Sequence, residues 1–220
     1  MIVIGDCHGC YNELMELVDV LPKDSKLCFV GDLIDRGPDS KKVLEFVRDN
    51  KHECVIGNHE EMAYRDHNLW SINGQMSTLK SFINHDVDDG VWDWYKDSMR
   101  NMKEDGWFDW FQSLPWSIEC QRKDGQKFLI SHSYAQDGLD TMEYNLLWDR
   151  KLLEKPTKNL DSYINIFGHT PHKQATQYHD KHWCIDTGCF HTGILTGIDL
   201  NTMKIYSTKG KHKGEISESN

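Results

Sequence analysis

Three apolar runs in this chain end in a glycine followed by hard-metal ligands: Gly5-Asp6-Cys7-His8-Gly9, Gly31-Asp32-Leu33-Ile34-Asp35-Arg36-Gly37 and Gly57-Asn58-His59-Glu60. Two more histidines stand in the same relation to an apolar run, His132 after 128–131 and His169 after Gly168. Taken singly, an aspartate after a strand is a turn former or helix cap, and a lone histidine is a satisfied polar residue. Five such elements at five strand ends are harder to ascribe to chance, and all could converge on one edge. Carboxylate, imidazole and carboxamide suit a divalent ion such as manganese, iron or zinc. With no thiolate among them, a structural zinc site is not expected.

The spacing suggests roles. Asp6 and His8, two residues apart, can point at one ion from a single extended turn. Asp32 has two oxygens and could bridge two ions, with Asn58, His132 and His169 completing the second. Two ions about 3.5–4 Å apart can clamp a phosphoryl group and acidify a bridging water for in-line attack on phosphorus. His59 follows Asn58, so its side chain should project differently while staying at the site. Asp35 could orient and charge that imidazole, and a protonated His59 could donate to a leaving alkoxide. Arg36 offers a forked, permanent cation for phosphate oxygens. Arg150, after Leu147-Trp148-Asp149, is a second candidate clamp; an ordinary surface salt bridge explains it equally well.

These residues need strands and helices to hold them. Apolar runs at 2–4, 27–30 and 55–56 alternate with helical spacing at Leu14, Leu17, Val18 and Leu21, and again at Val43, Leu44 and Val47. A polar, helix-like segment starts at Glu60. This is β-α-β-α-β with buried parallel strands. Right-handed crossovers put the three strand ends on one edge, where ligand sites of such sheets lie. Residues 62–116 look helical and carry Trp70, Trp92, Trp94, Trp107, Trp110 and Trp116. They read as a packed cap rather than an aromatic ligand groove. Strands are then expected at 116–121 and 127–131, a hairpin around Lys123-Asp124-Gly125, and at 163–167, 174–178, 183–186, 194–200 and 204–207. The sum is a mixed α/β sandwich with sheets inside and helices outside.

Composition narrows the function. The 220 residues, with a formal charge of −10, are room for one domain with a sizeable core. An acidic chain is a poor generic binder of nucleic acid or anionic lipid, so neither is expected as a partner. A phosphate site here must be locally positive, which bound cations would achieve. No apolar run approaches the roughly 18–20 residues needed to cross a bilayer, and 1–5 reads as a first strand rather than a signal peptide. Seven cysteines, an odd count, fit a reducing cytosol. Cys7 and Cys10 form a C-x-x-C pair without a second one, a weak zinc or redox motif. The basic run 209–213 reads as part of a flexible tail, 209–220, behind a catalytic domain at 1–208. His179, His182 and His191 read as surface residues.

The three early motifs, in this order and roughly 25 residues apart, resemble the signature of the serine/threonine phosphoprotein phosphatase family within the calcineurin-like metallophosphoesterases. Ser131-His132, Trp148-Asp149-Arg150, Phe167-Gly-His-Thr-Pro171 and Ile185-Asp-Thr-Gly188 also fall in that family's order, so the likeness covers nearly the whole chain. It is greatest with the compact bacterial and phage branch. The resemblance implies a four-layer α/β/β/α sandwich with two mixed β-sheets and a helical cap insertion. It implies Asp6 and His8 on a first metal, Asp32 bridging, and Asn58, His132 and His169 on a second. His59 and Asp35 would be the general-acid pair, and Arg36, Asn58 and Arg150 would hold the phosphate. It also implies two divalent ions, manganese before iron, zinc or nickel. Hydrolysis of phosphoserine or phosphothreonine, with phosphotyrosine as a further substrate, in a protein or peptide would pass through no phosphoenzyme. A cytoplasmic monomer is the matching expectation. Cys7 stands where relatives carry an aliphatic residue, and Ser133-Tyr134 replaces Ala-Asp.

Two rivals remain. A symmetrical dinucleoside tetraphosphate hydrolase shares the metal motifs, but the acidic segments 86–90 and 104–105 disfavour a polyphosphate. A non-catalytic, metal-bound interaction module would have lost ligands or the general acid, and here all are present. No arginine follows a cysteine by six positions, His59-Glu60-Glu61-Met62-Ala63 lacks a zinc protease's second histidine, and no Gly-x4-Gly-Lys loop occurs. The pair His85-Asp86 has no partners at suitable spacing.

Overall fold

Strand β1 (Ile2–Ile4) is apolar at every position and buried at every position, as a strand covered on both faces must be. It pairs in parallel with β2 (Leu27–Phe29), Ile2 opposite Leu27 and Ile4 opposite Phe29, and β2 pairs in parallel with β3 (Glu53–Cys54). The crossovers are α1 (Tyr11–Val20), burying Leu14 and Leu17, and α2 (Ser40–Asp49), burying Val43, Leu44 and Val47. Each such side chain contributes roughly 1.5–3 kcal/mol by leaving water. The computed structural model describes residues 1–83, 91–152 and 155–210. The segment 86–90, the pair His85-Asp86 and the tail beyond Gly210 lie outside the described residues.

The helix after β3 begins at Asn58, two residues before the expected Glu60, and leads into the helical region expected at 62–116. The described helices here are α3 (Asn58–Arg65), α4 (His67–Ser71), α5 (Gln75–Ser81), α6 (Val91–Glu104) and α7 (Trp107–Ser113). Trp70, Trp94 and Trp107 are buried among them. Trp107 meets Phe82 and Trp110 edge-on, and the Arg48 guanidinium lies 3.3 Å from the centre of its ring. No helix among the described residues is long and apolar enough to cross a membrane.

The second sheet is built from β4 (Ser117–Gln121), β5 (Lys127–Ser131), β6 (Tyr163–Phe167), β7 (Thr176–Tyr178) and β8 (His182–Cys184), in the order β4-β5-β6-β8-β7. Its middle strands β5, β6 and β8 are parallel. The first sheet is completed by β9 (Thr196–Asp199) and β10 (Ile205–Ser207), antiparallel neighbours that give the order β10-β9-β1-β2-β3. Alternation along the strands makes the layers. Val3, Cys28, Phe128, Ile130 and Ile166 fill the space between the sheets. Ile2, Ile4 and Phe29 face α1 and α2, while Leu129 and Phe167 face the cover over the other sheet, which includes Leu146 of α8 (Glu143–Trp148). This is the four-layer α/β/β/α sandwich with two mixed sheets.

Two local readings need correction. The third strand is at Glu53–Cys54, not 55–56: Val55 still donates to Phe29 O, but Ile56 turns to Pro115 O as the chain approaches Gly57. His182 is 2% exposed, not a surface residue, because β8 is sandwiched between β6 and β7. Its Nδ1 accepts the Asn165 N–H at 3.0 Å.

Candidate metal centre

Six strand ends deliver residues to one rim. Asp6 and His8 follow β1, Asp32 to Arg36 follow β2, Asn58 and His59 follow β3, His132 follows β5, His169 follows β6, and Asp186 follows β8. The turns that do this are bent hard. His8, Asp32, Asp35, Arg36 and His169 all have positive φ, between 44° and 70°. A side-chain-bearing residue in that region costs of order 1–3 kcal/mol and persists only where its surroundings enforce it.

The enforcing group after β2 is Glu60. Its fully buried carboxylate accepts the N–H groups of Leu33 and Ile34 on one oxygen and of Asp32 and Gly57 on the other, at 2.8–3.2 Å. Close approach matters at Gly168, where a Cβ would sit 1.9 Å from Asp6 Oδ1. Only a residue without one lets the β6 loop reach that carboxylate. The His169 N–H then donates to Asp6 Oδ2 at 3.1 Å.

The donor atoms converge around Asp32. Its Oδ2 faces His8 Nε2 at 3.4 Å, and its Oδ1 faces His132 Nε2 at 3.4 Å. His132 Nε2 is 2.8 Å from Asn58 Oδ1, and His169 Nδ1 is 3.0 Å from that oxygen and 3.2 Å from His132 Nε2. The far nitrogens of His8 and His132 are occupied by backbone: His8 Nδ1 bonds Ile34 O and His132 Nδ1 bonds Val30 O, each at 2.8 Å. A proton held there leaves each Nε2 lone pair aimed inward, as in metal-ligating histidines. Two sets, His8–Asp32–His59 and Asp32–His132–His169, have ligand atoms close enough to share an ion.

The electrostatics fit divalent cations. Burial, then the charges of Asp186 and Asp32, push the Asp6 carboxyl well above the usual range. Burial likewise raises Asp186 to about 6, partly opposed by the Gly188 N–H. Carboxylates crowded out of water and repelling one another are relieved by a cation between them. Burial holds His8 and His169 down at about 3, so both rings are neutral, the state that can ligate. Asp32 goes the other way: burial opposes its charge, but His132, His59 and His8 outweigh burial and hold it far below the usual range.

Beside this set lies the pair His59 and Asp35. His59 Nδ1 is 2.6 Å from Asp35 Oδ2, both side chains buried. Asp35 is itself fixed by the cap: Trp70 Nε1 donates to its carboxylate at 2.8 Å and the Thr78 hydroxyl donates at 2.6 Å. Arg36 is exposed and reaches over the centre, with NH1 2.8 Å from His8 Nε2 and NH2 3.1 Å from His59 Nε2. Its guanidinium thus places positive charge on the lone pair a metal would take. Burial lowers the His59 pKa, but Asp32 and Asp35 outweigh it and the net direction is up. A protonated His59 cannot accept from Arg36, so geometry and charge are reconciled only if Arg36 turns away. Arg150 is exposed and forms no hydrogen bond or ion pair with a described residue. It lies close enough for its charge to be felt at His132, His169 and Asp186.

Sequence reasoning gave no role to Glu60, Asp186, Trp70 or Thr78. For Asp186 there was a usable signal, an acid directly after an apolar run, although without the glycine that precedes Asp6 and Asp32. Trp70 and Thr78 reach Asp35 from 35 and 43 residues away, a contact with no local signature.

Residues 1–186 match the calcineurin-like phosphoesterase family. The chain is 29% identical over 207 residues, 88% of each protein, to serine/threonine-protein phosphatase 1 of Salmonella typhimurium. It is 32% identical over 143 residues, 61% of this chain and 52% of the other, to the symmetrical bis(5'-nucleosyl)-tetraphosphatase of a Shewanella strain. A solved chain provisionally described as a diadenosine tetraphosphatase shares the fold, with a TM-score of 0.65 at 22% identity over 97% of this chain and 94% of that one.

Proposed function

The chain belongs to the calcineurin-like phosphoesterase family, and we propose from this that it is a phosphoprotein phosphatase hydrolysing phosphoserine and phosphothreonine monoesters. Asp6, His8 and Asp32 would hold one divalent ion, and Asp32, Asn58, His132 and His169 a second, with manganese the preferred metal. When bound, such ions neutralise phosphoryl oxygens and lower the pKa of water at that point. The rest is done by the chain. Asp35 orients His59 through Nδ1, leaving Nε2 to pass its proton to the departing serine or threonine oxygen. Arg36 turns from the two imidazoles to the phosphate, which frees His59 Nε2 to carry that proton. Arg150 and the Asn58 amide hold the remaining phosphoryl oxygens.

The observation that carries this reading is the placement of the His59–Asp35 pair, 2.6 Å apart, beside the donor atoms gathered on Asp32. The phosphoprotein substrate is supported by the likeness to a serine/threonine-protein phosphatase over 88% of both chains. A second reading, hydrolysis of diadenosine tetraphosphate, is favoured by one feature. A groove of about 510 Å3 beside the centre is lined by Arg65, Tyr144 and Trp148, whose stacked rings could receive a base. Steady-state kcat/KM on a phosphoserine peptide and on diadenosine tetraphosphate, with manganese, decides between them. The peptide is expected to win by at least an order of magnitude, and the reverse ranking would overturn the phosphoprotein assignment. No turnover of either, with any of manganese, nickel, magnesium or zinc, would remove the enzymatic reading.

A further inference from the structure

Outside that centre the cysteines are not scattered. Cys10 closes the turn after His8 and precedes α1, Glu13 lies in the first turn of α1, and Cys189 opens a short helix, α9 (Cys189–Thr192), after Asp186-Thr187-Gly188. The Sγ atoms of Cys10 and Cys189 and a carboxylate oxygen of Glu13 all lie within 4.8 Å of one another. Both cysteines are buried, and Glu13 is half-buried at the edge. The two thiols are free, Cys10 Sγ lies 3.6 Å from His8 O, and the neighbouring Cys10 thiol, then burial, pushes the Cys189 thiol far up.

We propose that Cys10, Glu13 and Cys189 form a further metal site, separate from the phosphate-facing centre, for one thiophilic divalent cation of the zinc or cadmium class. The ligand chemistry selects the cation. Two sulfurs and one carboxylate oxygen suit zinc or cadmium and repel the claims of manganese and magnesium, which prefer all-oxygen sets. The spacing is within reach: tetrahedral ligands at about 2.0–2.3 Å from an ion stand roughly 3.3–3.8 Å apart, and the three donor atoms, within 4.8 Å of one another, need draw together by at most about 1.5 Å. Binding releases the two thiol protons to solvent, and the two thiolates and the Glu13 carboxylate offset the charge of the ion. Glu13, at the rim, leaves a fourth position open to water. The phosphate-facing centre contains only nitrogen and oxygen donors, so the two sites sort cations by softness. Cys10 lies two residues after His8 and Cys189 three after Asp186, so a cation here ties the β1 loop to the β8 loop.

The test is optical and does not depend on turnover, so it stands or falls apart from the phosphatase reading. The reduced, full-length protein is first loaded with manganese and then titrated with cobalt(II). A sulfur-to-cobalt charge-transfer band in the near ultraviolet reports thiolate ligation, which nitrogen and oxygen donors cannot produce. We expect the band to saturate at a single equivalent and to be displaced by zinc. It should vanish in Cys189→Ala and Cys10→Ser, and cobalt affinity should fall about tenfold or more in Glu13→Gln. Circular dichroism and manganese-dependent hydrolysis of p-nitrophenyl phosphate check that the variants are folded. Glu13→Gln, at a half-buried position, keeps the test open if a cysteine variant does not fold. No charge-transfer band at saturating cobalt, a band that survives Cys189→Ala, or unchanged cobalt affinity in Glu13→Gln would overturn the site.

Discussion

At Asp32 one carboxylate oxygen faces His8 and the other faces His132, each at 3.4 Å. An amide cannot serve both sides, because it keeps a single acceptor oxygen and loses the charge. Asp32→Asn is therefore expected to lower turnover by orders of magnitude and to reduce bound metal, checked by kcat and by metal stoichiometry. Full retention of both would remove Asp32 as the bridge. Arg36→Ala should weaken transition-state stabilisation by about 2.7–4 kcal/mol if Arg36 turns onto the phosphate; an unchanged kcat/KM would count against that movement. Asp32 and Arg36 were legible in the sequence because both lie in the short segment that Gly31 opens at a strand end and Gly37 closes. Arg150 was evenly poised between clamp and surface residue. Its exposed position, with only its charge reaching the histidines, explains why spacing alone could not decide.

Among the elements, α4 and α5 act on a residue neither of them contains. Trp70 and Thr78 each donate to Asp35, which in turn holds His59. Trp70→Phe keeps the ring and deletes one donor. It should lower kcat about tenfold with little change in KM, since outer partners of this kind act on orientation rather than binding. A changed KM at constant kcat would mean the cap touches substrate instead. The strands that carry ligands were readable from short apolar runs, and the crossover helices from the spacing of Leu14 and Leu17 and of Val43, Leu44 and Val47. What was not readable is how the cap packs onto the β2 loop. Its tryptophans announce a core but not the hydrogen bond that Trp70 makes with Asp35.

For the molecule as a whole, buried titratable groups set the acid limit. His8 and His169 are held near 3 and His182 near 4, in each case first by burial. Their neutral forms contribute stability that is present above the unfolded value of about 6.5 and is lost as pH falls through the folded values. Glu60, raised to about 7, and Asp186, raised to about 6, both first by burial, work in the opposite sense. Their contribution is fully present below about 4 and is lost as pH rises through 6 to 7. The two sets partly cancel between pH 7 and 4. Below that Glu60 and Asp186 no longer oppose the histidines, and Asp32, held far below its usual range, adds to the loss, so the metal-free protein should lose stability most steeply between about pH 4 and 3. Urea midpoints at unit steps of pH would show this, and a decline concentrated between pH 7 and 5 would contradict it. Composition and pattern foretold the layered sandwich, because alternation along strands such as Phe128-Leu129-Ile130 is a property of the sequence. They did not foretell that His182 would lie between two strands, since the β7–β8 hairpin is local but the parallel pairing of β8 with β6, which covers the other side, is not.

The grip of Glu60 on the loop after β2 involves no ion. With the amides of Asp32, Leu33 and Ile34 turned inward onto a carboxylate, the cradle is finished before any cation arrives. Deuterium should therefore enter those amides slowly whether or not the protein has been treated with chelator. A loop held in this way would receive one ion in place of another without being rebuilt.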